Sequence, residues 1–110
     1  MNRGEIFRCE ERLPERGHKP GYYVVVSRGF IATAADVSTV VCAPIYSNVL
    51  GLVTEVPVGE AEGIPSPSAI QCDFLTLLFK SRLVKRVGAL GSARRTKLDE
   101  ALRIALELEG

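Results

Sequence analysis

The stretch Ser38–Ser47 reads S-T-V-V-C-A-P-I-Y-S. Val40, Val41, Cys42 and Ala43 put apolar groups on both faces of an extended segment, the pattern of a strand buried in the middle of a sheet. Pro44 then removes a ladder donor, so regular pairing should weaken there. Ile45-Tyr46-Ser47-Asn48 ends the strand with one apolar anchor and three polar side chains. A core strand that delivers polar groups to its rim is a good place to build a site.

The other segments fall into order around this strand. Gly4–Glu10 predicts a short first strand, and Glu11–Pro20, with charges, two prolines and a glycine, a surface loop. Gly21–Ser27 is rich in aromatic and β-branched residues and predicts a second strand. Arg28–Val37 reads as a connection with a helical turn. Leu52–Val58 alternates as a strand, and Gly59–Ser68, with two glycines and two prolines, is a loop. Ala69–Leu75 predicts a strand with Gln71 and Asp73 on one face and Ile70, Cys72 and Phe74 on the other. Leu77–Leu83 is ambiguous, with a short helix around Lys80-Ser81-Arg82, and Val84–Leu90 is the last strand. Ser92 is placed to cap a helix running to about Leu108, with Leu98, Ala101, Leu102, Ala105 and Leu106 on one face. Gly88 and Gly91 precede that helix without a phosphate-loop lysine after them, so they read as a strand-to-helix turn. Five or six strands followed by one amphipathic helix predict a mainly β fold of α+β type, a small antiparallel barrel with a C-terminal helix.

The 110 residues are enough for one modest core, so residues 1–110 are expected to form a single domain. No apolar run approaches the roughly 18–20 residues that span a bilayer. The N-terminus enters a strand-like pattern directly, which predicts no signal peptide and a cytoplasmic location. Net charge is +1, which gives no overall pull toward nucleic acid. However, Lys80, Arg82, Lys85, Arg86, Arg94, Arg95 and Lys97 follow one another with no acidic residue between Lys80 and Lys97. That run reads either as a solvated surface or as a basic face for phosphates or an acidic partner. Cys9, Cys42 and Cys72 lie about 30 residues apart, far from zinc spacing, and are expected to be reduced, buried and apolar in role.

There is one histidine and no HExxH, paired-cysteine or G-x-S-x-G motif. The remaining candidates are His18-Lys19 in the first loop, Tyr46-Ser47 at the strand end, and Asp73. A cation, hydroxyls and a carboxylate on neighbouring strand ends suit phosphate-ester chemistry, which needs a base, an acid and a positive charge for the developing phosphorane. No cluster of His, Cys, Asp or Glu has metal-ligand spacing, so neither a metal nor another cofactor is expected.

The order of segments resembles the MazF/PemK family, ribonuclease toxins of bacterial toxin–antitoxin pairs. The similar pieces are Arg3-Gly4-Glu5-Ile6, Lys19-Pro20 ahead of Val24–Ser27, and Val41-Cys42-Ala43-Pro44-Ile45-Tyr46-Ser47. Ser68-Ala69-Ile70-Gln71-Cys72-Asp73, Lys80-Ser81-Arg82-Leu83, Val87-Gly88 and Leu98-Asp99-Glu100-Ala101-Leu102 continue the match. The resemblance implies an SH3-like barrel, a homodimer, a cognate antitoxin with an acidic segment, and metal-independent, sequence-specific cleavage of single-stranded RNA. The family's usual active pair is an arginine in Arg-Pro and a threonine in a Pro-Ile-Thr-Ser-like turn. Here Lys19-Pro20 stands for the first, with the following segment two residues longer, and Tyr46 for the second, with Ser47 kept. Lysine is a point charge where arginine is a planar fork, and tyrosine projects its hydroxyl several Å farther and adds a stacking face.

The catalytic set implied is therefore Lys19, Tyr46, Ser47, Asp73 and His18, and the RNA contacts Tyr46, Arg28 and Gln71. Lys19 would neutralise the phosphorane, and Tyr46 or Ser47 would bond a phosphate oxygen. His18, whose neutral form is plentiful near pH 7, would serve as base, with Asp73 holding it or acting as base instead. Of Tyr22, Tyr23, Tyr46, Phe30 and Phe74, only Tyr46 has a location that argues for base stacking rather than core. The alternative is a catalytically weakened toxin-fold binder acting on a protein target or on its antitoxin. Gyrase-poisoning proteins of this fold act through a C-terminal tryptophan, and this chain has no tryptophan.

Overall fold

A computed structural model describes residues 1–10 and 21–108. Among these residues seven strands, all antiparallel to their neighbours, form one sheet: β1 (Glu5–Cys9), β2 (Gly21–Val25), β3 (Thr39–Tyr46), β4 (Glu55–Val58), β5 (Ser68–Gln71), β6 (Thr76–Phe79) and β7 (Leu83–Ala89). The main path runs β4-β5-β3-β2-β1-β7, and β6 also pairs with β3. A short helix α1 (Gly29–Thr33) follows β2, and α2 (Ser92–Ala105) ends the fold. This is the mainly β, SH3-like barrel with a C-terminal helix that the sequence predicts.

β3 is the buried central strand expected from its two apolar faces. Ala43 and Ile45 join Ile6, Val24, Val56, Ile70, Leu98, Ala101 and Leu102 in a core between the sheet and α2. Val40 and Cys42 point the other way, into a second core with Phe7, Cys9, Tyr23, Val25, Leu78 and Leu83. A period-two strand with apolar residues in both phases needs two cores, one on each face.

Along one edge β3 changes partner. Residues Thr39–Cys42 pair with β6, whereas Ile45 and Tyr46 pair with β5. The break falls at Ala43-Pro44. On the other edge, pairing with β2 runs unbroken from Cys42↔Val25 to Ile45↔Tyr22. Pro44 therefore interrupts one ladder and not the other, and this split creates the site.

Several boundaries differ from the sequence expectation. β5 stops at Gln71, and Cys72–Phe74 form a 3-10 turn. Gln71 is thus buried in the sheet and Asp73 exposed on the turn, so they do not share a strand face. The chain must leave β3 there because the proline has broken the ladder. Thr76–Phe79 form β6, and only Lys80–Arg82 make the helical turn expected nearby. β4 starts at Glu55 rather than Leu52, and Pro57 is accommodated because β4 is an edge strand. Gly91, not Ser92, occupies the N-cap of α2, with no side-chain cap bond. Leu98, Ala101 and Leu102 are buried as the helical period requires, but Leu106 lies past the last turn and is exposed.

Two braces close the barrel. Arg3 donates to Val26 O (3.0 Å) and to Asp99 Oδ1 (2.7 Å), tying the N-terminus to the end of β2 and to α2. Gly63 and Gly88 let two backbones touch: a Cβ at either would sit 2.1 Å from a carbonyl oxygen of the other segment. The three cysteines are buried, and burial pushes the Cys42 thiol up to about 12 and that of Cys72 to about 11. Their role is that of small apolar residues.

Candidate active site

At the β3 split, the 3-10 turn between β5 and β6 stands off from Pro44 and leaves a cavity of about 590 Å³. Tyr23, Pro44 and Tyr46 line it from the sheet, and Asp73, Phe74, Leu75 and Thr76 from the turn and the start of β6. Tyr23 is nearly fully buried and anchors the floor. Tyr46 is half-buried at the strand end, and Phe74, half exposed, offers a second aromatic face. Both rings can stack on planar bases.

Asp73 is held from behind. Thr54, itself only 6% exposed, donates its hydroxyl to Asp73 Oδ2 at 2.6 Å. The next residue, Glu55, receives Leu52 N (2.6 Å), Leu50 N (2.9 Å) and Gln71 Nε2 (2.7 Å). These donors, Leu50 N foremost and then Gln71, hold the Glu55 carboxyl below its usual range. Thr54 and Glu55 thereby tie down the loop between β3 and β4, whose Val49, Leu50, Leu52 and Val53 are exposed. Neither residue stood out in the sequence. Their distant partners, Asp73 for Thr54 and Gln71 for Glu55, lie 19 and 16 residues away across a turn, and no local pattern marks such a contact.

The structure brings together two of the expected residues, Tyr46 and Asp73. Ser47, just past the end of β3, is exposed and lines a separate small cavity with Tyr22, Ile45 and Ser68. Gln71 is 1% exposed and does not line the main cavity; its Oε1 has no hydrogen-bond partner. Arg28 lies beyond the opposite end of β2, with its guanidinium 5.5 Å from the Phe30 ring centre. The antiparallel register separates it from Tyr46 by the length of β3. His18 and Lys19 lie outside the described residues.

The basic residues between Lys80 and Lys97 are spread over a turn, β7 and α2, and some are already engaged. Lys80 donates to Ile31 O and Ala34 O, satisfying the carbonyls at the end of α1, and Arg86 pairs with Glu5. Among the described residues no three His, Cys, Asp or Glu side chains could hold a metal ion. No helix among them is long and apolar enough to cross a membrane.

Comparison with known proteins agrees with this architecture. Residues 2–106 match the family model of the PemK-like, MazF-like toxin of type II toxin-antitoxin systems. "Endoribonuclease MazF3" of Mycobacterium tuberculosis is 35% identical over 72 residues, 66% of this chain and 70% of that protein. The solved structure of "Mycobacterium tuberculosis toxin MazF-mt6" is 27% identical with a TM-score of 0.81, covering 94% of this chain and 99% of that one. An "Endoribonuclease in complex with its cognate antitoxin from Mycobacterial species" has the same TM-score at 23% identity, covering 100% and 98%, and shows the shared fold. A chain whose sequence matches the model almost end to end, and whose barrel superposes on those toxins, belongs to the PemK-like, MazF-like toxin family of type II toxin–antitoxin systems.

Proposed function

We propose that this toxin is an endoribonuclease that cuts single-stranded RNA at short sequences without a metal ion. The observation that carries this reading is the cavity at the β3 split, where an aromatic hydroxyl and a carboxylate face one space in a family whose relative is named an endoribonuclease. RNA brings its own nucleophile. The ribose 2′-oxygen forms a bond to phosphorus as the bond to the 5′-oxygen breaks, leaving a 2′,3′-cyclic phosphate and a 5′-hydroxyl. One proton leaves the 2′-hydroxyl and one is added to the departing oxygen, so the site needs an acceptor and a donor.

Asp73 is the acceptor in this reading, since a carboxylate lining the cavity can only accept once ionised. Tyr46 bonds a phosphate oxygen through its hydroxyl and stacks a base on its ring. Lys19 offsets the charge that develops on the phosphorane, and His18 returns the second proton to the 5′-oxygen. Ser47, Arg28 and Gln71 fall outside the reacting centre: Ser47 and Arg28 for geometric reasons, Gln71 because it is buried.

The protein acts as a single domain in the cytoplasm, as a homodimer, and is neutralised by a cognate antitoxin with an acidic segment. Two features support the dimer and antitoxin readings. Leu77 and Phe79 on β6 are 63% and 56% exposed, an apolar surface that association would cover. A structural relative is described in complex with its antitoxin. The decisive test is incubation of purified protein with a long RNA, followed by mapping of the cleaved ends. Recurrent ends at one short sequence, formed much more slowly but still measurably by Asp73→Asn, are expected; intact RNA would overturn the reading.

A further inference from the structure

We infer that Thr54 is a positioning residue for the reaction: it holds the Asp73 carboxylate in the orientation that accepts the 2′-hydroxyl proton. The inference rests on the endoribonuclease reading and deepens it. Asp73 sits in a three-residue 3-10 turn and is exposed, so nothing in the turn itself fixes its side chain. The sole hydrogen bond recorded for its carboxylate among the described residues comes from Thr54, at 2.6 Å to Oδ2. A hydroxyl has one proton to give. That donation occupies Oδ2, and among the described residues no donor engages Oδ1, on a residue that lines the cavity.

Three features make Thr54 suited to this task. It is buried to 6% exposure, so its hydroxyl is shielded from competing water. It is β-branched, which leaves few side-chain rotamers and little freedom to lose on bonding. It also directly precedes Glu55, whose carboxylate binds Leu50 N, Leu52 N and Gln71 Nε2, so the backbone that carries Thr54 is itself pinned to β5. The chain of support runs from the sheet through Glu55 and Thr54 to the carboxylate. A reacting group held this way reaches its geometry before substrate arrives, and misplacement by about 1 Å can cost on the order of 100-fold in rate.

The test uses the full chain and an RNA containing the mapped cleavage sequence. Thr54→Val keeps the buried branched shape and removes the donor; Thr54→Ser keeps the donor. A hydrogen bond to a charged group corresponds to a loss of about 10- to 100-fold. Thr54→Val is expected to lower kcat by that factor with KM changed less than about two-fold, and Thr54→Ser to recover most of the rate. Thr54→Val combined with Asp73→Asn should be no slower than Asp73→Asn alone, because the hydroxyl acts only through that carboxylate. If Thr54→Val does not fold, the same comparison is made with Thr54→Ala. Wild-type kcat in the donor-less variant, or a full additional loss on top of Asp73→Asn, would overturn the role of Thr54. Failure of the wild type to cut any RNA would instead overturn the endoribonuclease reading.

Discussion

Alanine at Gly88 is the substitution whose consequence follows most directly from the structure. Gly88 lies in β7 opposite Ile6, and an added Cβ would fall 2.1 Å from Glu62 O and 2.7 Å from Glu62 C. Ordinary contact needs roughly 3.5 Å, so one backbone must retreat by more than about 1 Å. Neither can do so cheaply. β7 is bound to β1 from Leu83 to Ala89, Gly88 itself opposite Ile6, with irregularities that leave only Val84 and Val87 out of register. Glu62 belongs to a 3-10 turn closed by Gly59 N to its own Oε1 (2.8 Å), and Ile64, just beyond, is 2% exposed in the core. Overpacking costs about 1–3 kcal/mol, and a rigid backbone on each side puts this site near 3 kcal/mol. For a chain of this size that is about 10–15 °C in Tm. Gly63→Ala meets Val87 O at the same 2.1 Å and also requires a φ of +83°, which adds about 1–2 kcal/mol. Gly29, with nothing within 4 Å, is the control and should be neutral or slightly stabilised by alanine. The assay is thermal or urea unfolding of the three variants against wild type. A Gly88→Ala protein within about 1 kcal/mol of wild type would refute the crossing as a rigid contact.

Further outcomes follow from the site. Glu55 is held below its ordinary value of 4.5, so its share of stability is present above that pH and is lost as pH falls through its folded pKa. The Tm gap between wild type and Glu55→Gln should therefore be widest near neutrality and narrow as pH falls below 4.5. Tyr46→Phe is expected to lower kcat while KM holds, whereas Tyr46→Ala should also weaken RNA binding by about 1–3 kcal/mol through lost stacking; equal binding by both variants would remove the stacking role. Cleavage is expected to persist in EDTA and to leave 2′,3′-cyclic phosphate ends, and inhibition reversed by added metal would contradict the proposed chemistry. Sedimentation at micromolar concentration should give a dimer, with charge introduced at Leu77 or Phe79 shifting it toward monomer.

Local pattern alone was enough to read Ser38–Ser47 as a strand buried on both faces, Gly21–Ser27 as a second strand, and the last element as a helix with Leu98, Ala101 and Leu102 inward. Those readings depend on side-chain period and composition, which are local properties of the chain. The sequence also carried the family resemblance, through short segments kept in order. Pro44 marked where pairing would fail, but the sequence could not say on which edge, since that depends on which strands arrive there. In the packed fold β5 and β6 divide β3 between them, which turns Cys72–Phe74 out of the sheet and opens the cavity. Tertiary structure also separated Tyr46 from Ser47, placed Gln71 inside and Arg28 at the far end, and gave Asp73 its partner in Thr54. These are contacts between residues distant along the chain, and their energies depend on how the strands pack rather than on any neighbour in sequence.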